Sequence, residues 1–167
     1  MAVINAFVTQ NASSVAADVD IAARCGGSRV KAVAFSFEVA AADDNASIYR
    51  ICKIPPTAIP LSLRIANDAT AGLTNPSFGV YKPLEVGGAV IDVDCLMAAT
   101  DLNAGTATLT EKFAPAIADV GKDILSLSGV ADADKDKYGS VDVAMTTADG
   151  VSAAGTISGI LLFVDGA

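Results

Sequence analysis

The sequence predicts an all-β protein: one antiparallel β-sandwich domain with one or two short helices. Two observations carry that prediction. From Ile48 to Asp94, short alternating runs are separated by turn residues: Ile48–Ile54 before Pro55-Pro56, Leu61–Ile65 before Asn67-Asp68, Phe78–Tyr81 before Gly87-Gly88, then Ile91–Asp94. Closely spaced strand signals of this kind, without long βαβ alternation, mark a sandwich or barrel and not a doubly wound sheet. The length, 167 residues, suits a single domain large enough to bury its own core, and no internal repeat of fixed period occurs.

Taken in order, residues 1–10 are expected to form a first strand or an arm reaching to a neighbouring molecule, centred on Val3, Ile4, Phe7 and Val8. Residues 11–167 are expected to form the single sandwich domain. Asn11–Gly27 is polar and Ala-rich, and is expected as a loop or short helix. Val30–Val39 alternates with a period of two, its apolar face carrying Val33, Phe35, Phe37 and Val39, as a half-buried strand does. Asp43-Asp44-Asn45 makes a turn. In Ile48–Ile54 strict alternation puts Ile48, Arg50 and Cys52 on one face and Tyr49, Ile51 and Lys53 on the other. Pro55-Pro56 ends that strand, because proline donates no ladder hydrogen bond. Leu61, Leu63 and Ile65 share the buried face of the next.

Phe78, Val80 and Tyr81 form a strand stopped by Pro83, and Gly87-Gly88 signals a tight turn. Val90–Val93 continues as strand, with one or two helical turns at Cys95–Ala99. The near-helical spacing of Ile117, Val120, Ile124 and Leu127 predicts a helix around Val120–Ser128 closed by Gly129. Asp132–Gly139 reads as a charged loop. Val141–Thr147 alternates, Asp149-Gly150 is a hairpin-type turn signal, and Thr156–Val164 is a final strand whose apolar end suggests full burial. The total is seven to nine strands.

Composition excludes several functions. The formal net charge is −8 and the pI about 4.3, which argues against binding a phosphate backbone or an anionic membrane. Acidity keeps a surface soluble or complements a basic partner. Apolar residues are 52% of the chain and mean hydropathy is +0.49, much of it from alanine. The longest aliphatic run, Ile160–Val164, is too short to span a bilayer. The opening residues lack the basic region and unbroken apolar run of a secretory signal. Cys25, Cys52 and Cys95 form no CxxC, so a zinc ribbon or thioredoxin motif is not expected. Cys52 and Cys95 read as small buried hydrophobes suited to a reducing cytoplasm.

Catalytic and metal motifs are weak. With no histidine in the chain, a serine nucleophile lacks its usual base. Asp132-x-Asp134-x-Asp136 begins like an EF-hand loop, but Lys137 and Val143 stand where that loop needs glycine and a bidentate glutamate. Asp92 and Asp94 share a strand face, as a cation site or acid–base pair would need, and as an ordinary solvent face also shows. Tyr49, Phe78 and Tyr81 could line a sugar-binding face or pack within the sheet. No catalytic, cofactor-binding or metal-binding residue is assigned, and no cofactor is expected.

Tyr49-Arg50, Pro55-Pro56, Asn67-Asp68, Gly79-Val80-Tyr81, Gly87-Gly88 and Ile91–Asp94, continued by Gly121-Lys122 and Leu125–Gly129, resemble a pattern in structural proteins of tailed bacteriophages. The resemblance covers about two-thirds of the chain. It points to capsid decoration or cement proteins, although Leu125-Ser126 stands where such proteins often carry an aromatic. It implies a jelly-roll-like sandwich, not an enzyme, that binds the outside of an assembled head. The implied partners are the phage major capsid protein and further copies of the chain, as a dimer or trimer, with no nucleic acid and no membrane. The implied location is the virion exterior after synthesis in the host cytoplasm. Val3, Ile4, Phe7 and Val8 are the candidate contact. The rival reading is a head-fibre or tail-associated module recognising a host surface glycan. A hydrolase using Asp92 and Asp94 is a third, and requires both carboxylates to converge in one pocket.

Overall fold

In the computed structural model of the protein, residues 5–7, 17–20 and 29–165 are described, with 5–7, 17–20 and 29 as backbone only. Among the described residues, ten strands form two five-stranded sheets. The first sheet has the order β1(Asn5–Phe7), β4(Ile48–Ile54), β9(Val141–Thr146), β6(Ser77–Tyr81), β7(Val90–Met97). The second has the order β2(Ala17–Asp20), β3(Arg29–Val39), β10(Gly155–Val164), β5(Ile59–Asn67), β8(Thr106–Glu111). All pairings are antiparallel except β1 with β4.

The topology follows from one long ribbon. β3 pairs with β10, β4 with β9, β5 with β8 and β6 with β7. The chain therefore runs out to the β6–β7 turn and returns along itself. Rolling that ribbon brings β10 against β5 and β9 against β6, which distributes its eight strands alternately between two sheets. This is a jelly-roll-like sandwich of two interlocked Greek keys.

The core lies between the sheets. Phe35 and Phe37 of β3 meet Phe78 of β6 and Tyr49 of β4, with ring centroids 6.1 Å apart for Phe35–Phe78 and 5.2 Å for Phe37–Tyr49. Leu63, Ile65, Val80, Val143, Met145, Ile157 and Leu161 fill the rest. Each such buried side chain stabilises the fold by about 1.5–3 kcal/mol before entropy is counted.

The structure departs from strict alternation where strands bulge. Arg50 pairs with Ala144, but Cys52 pairs with Val143, so Ile51 is one residue extra. A bulge reverses facing: Cys52 and Ile54 turn to the core, while Arg50 and Lys53 share the outer face, correcting the expected Arg50–Cys52 side. A second shift beside Ser62 leaves Leu61 on the outside, 47% exposed, instead of buried with Leu63.

Other expectations are also corrected. Ala17–Asp20, expected as loop or helix, pairs with β3. Cys95–Met97 is strand, not helix. Thr106–Glu111, with little apolar signal, is the edge strand β8. The expected Val120–Ser128 helix shrinks to one turn, Ile124–Leu127, because Ile117 and Val120 face solvent. Asp132–Lys135 forms a helical turn. Asp149-Gly150 does not join a hairpin, because β9 and β10 lie in different sheets. β10 is central yet alternately buried, so its end is not fully enclosed.

Candidate interaction surface

The most elaborated surface lies on the outer face of the first sheet, beneath the β6–β7 loop. Alternation with core-facing Tyr49 puts Arg50 on the outer face of β4, and alternation in β9 puts Asp142 beside it. Arg50 Nη1 donates to Asp142 Oδ2 at 2.8 Å, and both side chains are fully buried. The cover is residues 82–89. Arg50 Nη1 also donates to the Lys82 carbonyl at 3.0 Å, and Nη2 to the Gly88 carbonyl at 2.7 Å. The guanidinium carbon lies 5.2 Å from the centroid of the Tyr81 ring. The Leu84 amide reaches Asp142 Oδ2 at 3.3 Å.

One arginine therefore grips both ends of the loop. A buried ion pair recovers its desolvation cost only when its remaining donors and acceptors are satisfied, and here the loop carbonyls satisfy the guanidinium. Asp142 Oδ1 is buried without a hydrogen bond among the described residues. Gly88 is required by this arrangement: its φ is +60°, and a Cβ there would stand 2.6 Å from Arg50 Nη2.

Beyond the loop, Lys53 pairs with Glu85, and Lys82 Nζ lies 5.8 Å from the centroid of the Tyr138 ring. Between the loop and residues 137–140 is a cleft of about 360 Å³, lined in part by Lys82, Pro83, Val86 and Tyr138. Exposed apolar side chains continue along this part of the chain: Leu84, Val86, Val90 and Val93.

The residues singled out in the sequence are not brought to this place. Val3, Ile4 and Val8 lie outside the described residues. Phe7 falls in β1, opposite Arg50 in a parallel pairing with the chain's own β4. Asp92 and Asp94 are neighbours on β7. The Asp94 amide donates to Asp92 Oδ1, and a side-chain hydrogen bond to Asp92 pushes the Asp94 carboxyl up. Asp94 lines a cleft beside Phe113 that Asp92 does not, so the two carboxyls meet each other without sharing that cleft. Of Asp132, Asp134 and Asp136, the first two pair with Lys135 and Lys137, and no group of three metal-binding side chains occurs among the described residues. Tyr49, Phe78 and Tyr81 are buried, so they form no sugar-binding face. Cys52 and Cys95 are free thiols, and burial pushes both up to about 12. No helix among the described residues is long and apolar enough to cross a membrane.

Sequence reasoning missed the Arg50–Asp142 pair. The available signal was an arginine inside the apolar run Ile-Tyr-Arg-Ile-Cys, since a lone charge there must find a partner or reach water.

Comparison with solved structures finds this architecture in two phage capsids. A chain of the capsid of Ralstonia phage GP4 superposes with a TM-score of 0.53 at 17% identity, over 95% of this chain and 92% of that one. A chain of the cyanophage Pam1 capsid asymmetric unit does so with a TM-score of 0.53 at 17% identity, over 93% and 96%. No protein-family model matches the sequence, and no curated protein matches it. At this identity the likeness establishes a shared fold.

Proposed function

We propose that the chain is a structural virion protein that binds the outside of a tailed-phage head and stabilises contacts between major capsid subunits. The observation that carries this reading is the end-to-end match. The fold accounts for 95% of this chain and 92% of a chain found in a phage capsid. The sequence resemblance to decoration proteins points the same way.

The mechanism is added interface. A protein that binds assembled subunits and not free ones stabilises the assembly by mass action. A homo-oligomer, dimer or trimer, would multiply contacts with the shell. The N-terminal arm belongs to the same proposal. β1 is a three-residue edge addition, and such a strand can add to a neighbour's sheet in the same way. The protein would be made in the host cytoplasm and act on the virion exterior.

The test is light scattering on the purified protein, followed by cosedimentation with heads assembled without it. The proposal expects a defined oligomer that pellets with heads at saturable stoichiometry. A monomer left in the supernatant would contradict it. Removing residues 1–10 should weaken pelleting, and undiminished occupancy would remove the arm from the account.

A further inference from the structure

We propose that the cleft between the 82–89 loop and residues 137–140 is the contact for a segment of the head's surface protein that presents one carboxylate beside an apolar side chain. This rests on the head-binding reading and names the place and chemistry of the contact.

Three observations converge. The first is charge. Glu85 at the rim is taken by Lys53, and Lys137 is taken by Asp134. Lys82 has no carboxylate partner among the described residues, only the face of Tyr138. On a chain of net charge −8, this cleft therefore presents one unneutralised cation. A single cation on an acidic protein is too little for a phosphate backbone, which needs several. It suits one carboxylate, which it orients and selects against basic segments.

The second is apolar surface. Val86 is 64% exposed beside buried Pro83 and half-buried Tyr138. A carboxylate flanked by an apolar side chain would satisfy both parts of the cleft. The volume, about 360 Å³, has room for a few side chains of a peptide and falls within the ordinary range of binding pockets.

The third is rigidity. Arg50 holds the Lys82 and Gly88 carbonyls at 3.0 and 2.7 Å, so the loop is fixed before any partner arrives. A preformed wall spares the ordering cost that a mobile loop would add to binding.

The experiment is cosedimentation with heads assembled without the protein, using the full chain and three variants. Lys82→Glu should lose about tenfold or more in head affinity, as reversal of a partner-facing charge does, and Val86→Ser should lose a few-fold. Lys122→Glu makes the same charge change on an exposed lysine paired with Asp119, and should bind within about twofold of wild type. Unchanged thermal melting of Lys82→Glu separates lost contact from lost fold. If wild type pellets and Lys82→Glu pellets equally well, the cleft assignment is wrong while the head-binding reading stands. If wild type itself stays in the supernatant, both fall.

Discussion

The two sheets share one core and differ on their outer faces. In the second sheet, β10 alternates between buried and half-buried positions along its whole length. On its outer face Ser36 and Ser158 share a hydrogen bond across β3 and β10 at 2.9 Å, beside half-buried Ile160 and Leu162. In the first sheet, β6 is buried at every position and β9 at all but its last. The difference is made by the β6–β7 excursion, which folds back over β4, β9 and β6 and encloses Arg50 and Asp142. Among the described residues, no comparable loop covers the outer face of the second sheet. That of the first is built up into a fixed relief with a cleft beside it. The lesson is that a shared sandwich says little about where contact occurs. The cover on one face, and the cost accepted to hold it, says more.

The comparison can be broken most strongly at the ion pair. Asp142→Ala leaves the Arg50 guanidinium buried and uncompensated, and should cost about 3–5 kcal/mol in denaturant unfolding. Arg50→Met with Asp142→Leu should recover most of that loss while freeing residues 82–89 to exchange their amide hydrogens faster. Equal exchange in that double variant would show that the loop holds its place without the arginine. The next effect is steric. A Cβ at Gly79 would stand 2.1 Å from the Asp92 carbonyl oxygen, because the bulged β7 backbone passes directly against β6. Gly79→Ala should therefore cost about 1–3 kcal/mol by forcing that crossing apart, read as a lowered denaturation midpoint.

How much of this was legible in the sequence depended on whether a period of two told the whole story. It did for β3, whose Phe35, Phe37 and Val39 face inward as their spacing requires. It failed in β4, because the extra residue at Ile51 is invisible to a pattern of apolar and polar residues. It held in β9, where Val141, Val143 and Met145 face the core, but it gave no sign that Asp142 on the other face is buried too, beneath a loop distant in sequence. β8 carried too little apolar signal to register, since five of its six residues are exposed. The contact surface was hidden for the same reason. Arg50 within its apolar run was the one signal; Lys82 and Tyr138 gave none, and the rolled ribbon brings all three to one place.

Smaller effects sharpen the contrast. Burial alone would raise the Asp123 carboxyl, but its bonds from Lys135, the Ser126 hydroxyl and the Ser126 amide outweigh that and lower it. A lowered carboxyl pKa gives stability that is present above the ordinary aspartate value and is lost as pH falls through the folded value. Wild type and Asp123→Asn should therefore differ by under about 1 kcal/mol at neutral pH, and their melting temperatures should converge in acid below about pH 4. A gap that persists there would assign the effect to packing. Smallest of all, Ser158→Ala on the open face of the second sheet should change stability by less than about 0.5 kcal/mol and leave head binding alone.

The most direct test of the central claim is a cryo-electron microscopy map of heads saturated with the protein. The account predicts sandwich-shaped density on the exterior bridging adjacent capsid subunits, with the 82–89 loop and residues 137–140 turned toward the shell. Heads without added density would contradict the structural role, and density docked through the outer face of the second sheet would contradict the assigned surface.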